Sequence, residues 1–271
     1  MEGAALERIE VDGRQLAWRS AGRGPKLLLV NGYAATGADW DPTFVADLAA
    51  SHEVICPDNR GIGDSELGEG EVTADGMAAD LEALLDALGA GSVPVVGWSM
   101  GGFVAQRLAV RAPQRVSALA LIATDPGGGH SVAAEPAVWS RLVDRSGTPR
   151  EQASRLISLL FPPSLAPGVD AEFGDLVAAA RAGLAPATLD AQEAAMQAWH
   201  DGEGAGSAGG AGPPALVVHG SEDVVIPPAN AAALAARWPG ARVELLDGCA
   251  HAVMAQEPQR VAAAIRDLAP A

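Results

Sequence analysis

Positive charge is scarce in this chain: 18 Lys and Arg stand against 34 Asp and Glu, a formal net charge of −16 over 271 residues. A surface of that sign repels phosphate backbones and anionic lipid headgroups, so neither nucleic acid nor a membrane is an expected partner. Cysteine is nearly absent. Cys56 and Cys249 are too few and too far apart for a disulfide framework. The five histidines are scattered without ligand spacing, which speaks against a bound metal. No stretch approaches the roughly 18 apolar residues of a membrane span. Glu2, Glu7, Arg8, Glu10, Asp12 and Arg14 interrupt the start of the chain where a secretory leader would be apolar, and a cytoplasmic location is the expectation. No Gly-x-Gly-x-x-Gly follows a strand-like run, which removes hydride transfer from a dinucleotide, and no cofactor is expected. Internal repeats are missing too.

What is there alternates. Two strand-like runs, 6–11 and 15–20, flank Asp12-Gly13 and read as a hairpin. Short apolar strands follow at 26–30, 53–56, 93–98 and 116–123, separated by helical patterns at 42–50, 73–88 and 102–110. Met77, Leu81, Leu84, Leu85 and Leu88 form one such helical stripe, with Asp80, Glu82 and Asp86 away from it. Strands at 215–219 and 242–246, with helices at 228–238 and 257–268, complete the pattern. The order predicts an α/β fold with a doubly wound, mainly parallel sheet of eight strands.

The alternation breaks after the sixth strand. Residues 127–201 hold helical patterns alone, at 133–144, 149–161, 171–182 and 186–199, punctuated by Pro162-Pro163 and Pro167-Gly168. They are read as a helical lid inserted in a core made of 1–126 and 213–271. Residues 202–212 are almost all Gly and Ala and are expected to be a mobile linker.

The most informative stretch is Val93-Pro94-Val95-Val96-Gly97-Trp98-Ser99-Met100-Gly101-Gly102-Phe103. An apolar strand passes into a helix through a serine flanked by glycines, the Gly-x-Ser-x-Gly nucleophile elbow. Strand and helix pass so close that a Cβ two residues from the serine would clash. Ser99 is the candidate nucleophile, and the following helix N-terminus supplies free amides and positive field.

Several signals together resemble the α/β-hydrolase family over nearly the whole chain: Asn31-Gly32 ahead of Trp40, the turn Asp58-Asn59-Arg60-Gly61-Ile62-Gly63-Asp64-Ser65, the elbow, Gly220-Ser221-Glu222-Asp223, and Cys249-Ala250-His251. The resemblance implies a triad in the order Ser, acid, His, which falls on Ser99, Asp223 and His251. His251 would take the serine proton and return it to the leaving group, while Asp223 would hold the imidazole's tautomer. Asp125, after the sixth strand, is a competing acid, since some relatives of the fold take it from there; the Gly-x-x-Asp context favours Asp223. The oxyanion donors implied are the backbone amides of Tyr33 and Met100. Here the chain departs from the commoner His-Gly with Asn31-Gly32, which bears on where the Tyr33 amide sits. The charged turn of Asp58, Arg60, Asp64 and Ser65 reads as structural, and Cys249 as a buried, inert thiol.

A serine at the elbow argues against epoxide opening and halide displacement, which use aspartate there in the family. Hydrolysis of a small-molecule carboxylic ester through an acyl-serine is the expected reaction. Carbon–carbon bond hydrolases, enol-lactonases, perhydrolases and slow-turnover receptors share the same triad and stay open as alternatives. Trp98 is similar to its counterpart in methyl ester esterases acting on pimeloyl carrier protein, a partner whose acidity suits a charge of −16 badly. Trp98, Trp139, Leu160 and Trp199 are the candidate pocket residues, and small or medium apolar acyl groups the expected substrates.

Overall fold

Asp12 and Gly13, at φ 47° and 76°, close the first hairpin. This is the positive-φ turn whose twist suits two antiparallel strands, β1 (Leu6–Val11) and β2 (Arg14–Ala21). The computed structural model describes residues 5–202, 204–206 and 212–269. From the hairpin the chain enters β3 (Lys26–Val30), α1 (Pro42–Ala49), β4 (Glu53–Pro57), α2 (Ala74–Ala87), β5 (Val93–Trp98), α3 (Met100–Arg111) and β6 (Val116–Ile122). Four helices follow without a strand: α4 (Pro136–Leu142), α5 (Pro149–Leu160), α6 (Ala166–Ala182) and α7 (Pro186–Asp201). Then come β7 (Ala215–Gly220), α8 (Asn230–Arg237), β8 (Arg242–Leu246), α9 (Val253–Gln256) and α10 (Pro258–Leu268).

The eight strands form one sheet in the order β1-β2-β4-β3-β5-β6-β7-β8, antiparallel at β1/β2 and β2/β4 and parallel elsewhere. Its central strands are apolar in every register because helices cover both faces. Leu28, Val30, Val95, Leu119, Leu121 and Val217 face a core shared with α2, α3 and α8. Leu27, Leu29, Val96, Ala120, Ile122, Leu216 and Val218 face the opposite core, shared with α1, α9 and α10. Phe44 of α1 is fully buried there, and truncating it to Ala would cost about 3–5 kcal/mol. No helix among the described residues is long and apolar enough to cross a membrane.

Some boundaries differ from the sequence reading, two of them for a clear reason. Helix α3 begins at Met100, not 102, because the strand-to-helix turn is completed by Ser99 alone. Helix α6 begins at Ala166, five residues before the expected 171. Pro167 lies in its first turn, where no backbone donor is needed, so it starts the helix instead of breaking it. The expected linker, 202–212, is described only in part. Residues 203 and 207–211 lie outside the described residues, but Ala205 is fully buried: its amide donates to Pro126 O at 3.3 Å and its carbonyl accepts from Arg107 Nη1 at 3.2 Å. Backbone hydrogen bonds, which need no apolar side chain, anchor this end.

Candidate active site

Strand order reverses between β3 and β5: the chain leaves β3 toward β4 on one side and returns to β5 on the other. The loops at the carboxyl ends of these two strands splay apart, which makes the crevice where open α/β sheets bind ligands. Ser99 ends β5 at this point, at φ 55°, ψ −125°, outside the regions an L-residue adopts without strain. Such a residue costs on the order of 1–3 kcal/mol and survives only where its surroundings over-determine it. Here Ser99 N donates to Ile122 O at 3.0 Å, while Ser99 O accepts from Gly102 N and Thr124 Oγ1, each at 2.8 Å. A Cβ at Gly97 would strike the Gly101 carbonyl, and one at Gly101 the carbonyls of Val30 and Asn31. The side chain is 9% exposed, and although Ser99 precedes the helix its hydroxyl caps nothing.

The β3 loop is fixed by Asn31, which is almost wholly buried. Its Oδ1 accepts from Gly32 N at 2.9 Å, its Nδ2 donates to Thr36 O at 2.6 Å, and its own carbonyl accepts from Asn59 Nδ2 at 2.8 Å. An asparagine in place of histidine therefore still defines this loop. Helix α7 holds the next two residues: Tyr33 OH donates to Glu193 Oε1 at 2.5 Å, and Ala34 N, at φ 57°, donates to Gln192 Oε1 at 2.9 Å. Burial, reinforced by Glu193, pushes the Tyr33 phenol well above its ordinary range. The amides of Tyr33 and Met100 have no protein acceptor among the described residues.

Across the crevice, His251 Nδ1 donates to Asp223 Oδ2 at 2.8 Å, with the two residues 2% and 3% exposed. Asp223 Oδ1 accepts the amides of Val225 and Ile226, both at 2.9 Å, which leaves Oδ2 for the histidine. A carboxylate can only accept, so the proton sits on Nδ1 and Nε2 of the neutral ring is a lone pair. Trp98, beside the serine, packs against the imidazole with ring centres 5.4 Å apart and planes tilted by 43°, and donates its indole N–H to His251 O at 3.0 Å. His219 backs the pair from 3.8 Å, with Nε2 donating to Ile226 O at 3.1 Å; burial pushes its imidazole below the ordinary histidine range, keeping it neutral.

Asp125 is occupied elsewhere. Its Oδ1 accepts from Gly127 N at 2.8 Å, Ser131 Oγ at 2.7 Å and Trp199 Nε1 at 3.0 Å, and its Oδ2 contacts His200 Nε2 at 3.1 Å. Burial alone would raise this carboxyl, but His200 with the Ser131 and Gly127 donors outweighs it and holds the group below the usual carboxylate range. Trp199, expected in the pocket, is stacked on Phe103 at 4.8 Å and bonded to Asp125, so both its face and its polar edge are engaged in packing. Leu160 comes to the site through its backbone: its carbonyl accepts from Ala252 N at 2.9 Å, next to His251. Trp139 is half-buried against the core that contains α2 and α3. The charged turn is architectural: Asp58 accepts from Gly37 N at 2.7 Å and Asp64 N at 3.0 Å, and Arg60 Nε pairs with Asp80 at 2.9 Å. The sequence reading missed Gln192, Glu193 and His200. One signal was available, a polar Gln192 inside the buried stripe of Thr188, Ala195, Met196 and Trp199 on α7.

The strand order, with a strained residue at the turn from β5 into α3, defines a class of doubly wound α/β folds. Residues 25–258 match the alpha/beta hydrolase fold family, and the chain belongs to it. Over 110 residues it is 44% identical to BpoC of Mycobacterium tuberculosis, a protein named for non-heme bromoperoxidase activity, covering 40% of this chain and 42% of that one. A pimeloyl-[acyl-carrier protein] methyl ester esterase of Vibrio parahaemolyticus is 39% identical over 111 residues, 41% of each chain. The aligned part thus spans about two-fifths of the length of these curated relatives. The crystal structure of a hydrolase from Pseudomonas aeruginosa PA01 covers 100% of both chains with a TM-score of 0.81 at 27% identity.

Proposed function

We propose that this protein hydrolyses a small-molecule carboxylic ester through an acyl-serine at Ser99. The observation that carries the reading is the strained serine whose hydroxyl does not cap the helix, one residue from the indole that packs against an imidazole whose Nε2 has no hydrogen-bond partner among the described residues. In the first half-reaction Ser99 Oγ attacks the ester carbonyl as His251 Nε2 takes its proton. The amides of Tyr33 and Met100 stabilise the oxyanion, and Asp223 stabilises the imidazolium. His251 then protonates the departing alcohol; water, deprotonated by the same nitrogen, releases the acid and frees the serine. Residues 127–201 act as a lid on a core of 1–126 and 213–271, with α7 gripping the Tyr33 loop from above. Likeness to a methyl ester esterase supports the ester class.

The test is intact mass after treatment with a fluorophosphonate, alongside initial rates on p-nitrophenyl esters of two to twelve carbons. A single adduct that is lost in Ser99→Ala, with steady turnover by the unmodified protein, is expected. Turnover by Ser99→Ala near the parent rate would overturn the assignment. The relative named for bromoperoxidase activity favours a second reading, in which hydrogen peroxide replaces water at the acyl-serine and leaves as a peracid that oxidises bromide. Peroxide-dependent bromination requiring a carboxylic acid and Ser99 would establish it.

A further inference from the structure

The Tyr33 amide lies between two neighbours that are each held in place. On one side Gly32 packs so closely on the elbow that a Cβ there would lie 3.1 Å from Ser99 Cβ and 3.3 Å from the Trp98 carbonyl oxygen, and its amide donates to Asn31 Oδ1 at 2.9 Å. On the other side Ala34 takes φ 57°, a left-handed conformation that costs an alanine energy and persists only where its surroundings impose it. The Ala34 amide leaves its own loop and donates to Gln192 Oε1 at 2.9 Å, 158 positions along the chain. The Tyr33 hydroxyl reaches the next residue of the same helix, donating to Glu193 Oε1 at 2.5 Å.

Gln192 is fully buried, on the face of α7 that also buries Thr188, Ala195, Met196 and Trp199. An apolar side chain would fill that place without loss. The glutamine instead leaves its own Nε2 without a partner among the described residues, and an orphaned buried donor destabilises the fold. Against that loss it offers one acceptor, and the acceptor is taken by the loop. Glu193 is fixed in turn: Arg145 Nη2 donates to its Oε1 at 2.7 Å and pairs with Asp190 at 2.7 Å. Further along α7, Trp199 and His200 fasten the helix to Asp125. The helix is therefore a stiff bar against which the loop is set.

We propose that Gln192 is a positioning residue for the oxyanion hole, supported by Glu193: by accepting from Ala34 N it imposes the left-handed turn that holds the Tyr33 amide toward the reacting carbonyl at Ser99. Without that acceptor the turn relaxes and the donor shifts, although every catalytic group remains. A misplacement of about 1 Å costs up to about 100-fold in rate. The inference rests on the ester-hydrolase reading, and it gives a residue of the helical insertion a part in the chemistry of the core.

The test is Gln192→Leu, close to the parent side chain in size, with Gln192→Met reading the same quantities where the leucine variant does not fold. Steady-state rates on the best p-nitrophenyl ester are referred to sites titrated to completion with fluorophosphonate. Alongside them, Ki is measured for a trifluoromethyl ketone, which forms an oxyanionic adduct on the serine. The substitution should lower kcat by about 10- to 100-fold with KM within about threefold, and weaken the ketone by a matching factor. The thermal midpoint should stay near that of the parent, because one orphaned donor, Gln192 Nε2, is exchanged for another, Ala34 N. Asp125→Asn, which loosens α7 further along, should leave the ketone's Ki unchanged. An unchanged Ki in Gln192→Leu would overturn the inference, and so would an equal loss in Asp125→Asn, since a loosened helix would then account for both. If the parent neither turns over esters nor takes the fluorophosphonate, the hydrolase reading fails on its own. Hydrogen exchange at the Ala34 amide then decides the clamp: exchange at least about tenfold faster in Gln192→Leu supports it, and equal rates refute it.

Discussion

Two buried carboxylates in this protein each hold a histidine, and the pairs do opposite work. Asp223 contacts His251 through Nδ1, whereas Asp125 contacts His200 through Nε2. A histidine that gives Nδ1 to its acid keeps the distal nitrogen for a substrate; one that gives Nε2 has tied down its far end. The donors differ as well. Asp223 reserves one oxygen for the imidazole, while Asp125 gathers Gly127, Ser131 and Trp199 on the other oxygen and fastens α7 to the loop after β6. His200 is 31% exposed at its side chain and rests edge-on against Phe103, so its pair is a clasp at the protein's rim. The nitrogen used, more than proximity of acid and imidazole, separates the proposed general base from a tie.

Breaking each pair should expose the difference. Asp223→Asn should lower kcat on the best ester by roughly 10⁴-fold, the scale of losing the orienting acid in a serine protease, with the thermal midpoint little changed. Asp125→Asn should do the reverse: turnover within a few-fold of the parent, and a loss of about 1–2 kcal/mol, or roughly 2–8 °C in Tm, by thermal melting. If Asp125→Asn is the variant that abolishes turnover, the roles assigned to the two acids are exchanged. Trp98→Phe keeps the ring on His251 but strands the His251 carbonyl. A fall in kcat/KM of about tenfold, carried by kcat with KM nearly constant, is expected from steady-state rates.

The smallest effects are in pH. The Asp125 carboxyl is held low in the folded state, so its stabilisation is complete above about pH 4 and is lost as pH falls through the folded value. His219, behind Asp223, is also held low. As pH drops below about 6.5 the unfolded chain gains a proton there that the folded chain does not, and stability declines. Denaturant titrations should show Asp125→Asn flattening the first limb and His219→Gln the second.

The sheet and the tight turn at Ser99 were legible because local rules encode them: unbroken apolar runs for doubly covered strands, glycines for a close strand–helix approach. The start of α6 was misread because a proline looks the same in sequence whether it ends a helix or opens one. The partners of Asp125 were out of reach for a different reason. Trp199 and His200 lie 74 and 75 residues further along, and only the path of α7 back across α3 brings them to that carboxylate.

The hydrogen bond from Trp98 to the His251 carbonyl joins residues 153 positions apart. During translation the serine and its strained turn emerge long before the segment that bears the base. The segment that carries His251 takes its place only after β7 and then β8 have been added to β6 at the growing edge of the sheet. A nascent or clipped chain would carry the proposed nucleophile with nothing to activate it. On the proposed function, turnover reports that the last strands have docked, and the site is armed by the final step of the chain's own assembly.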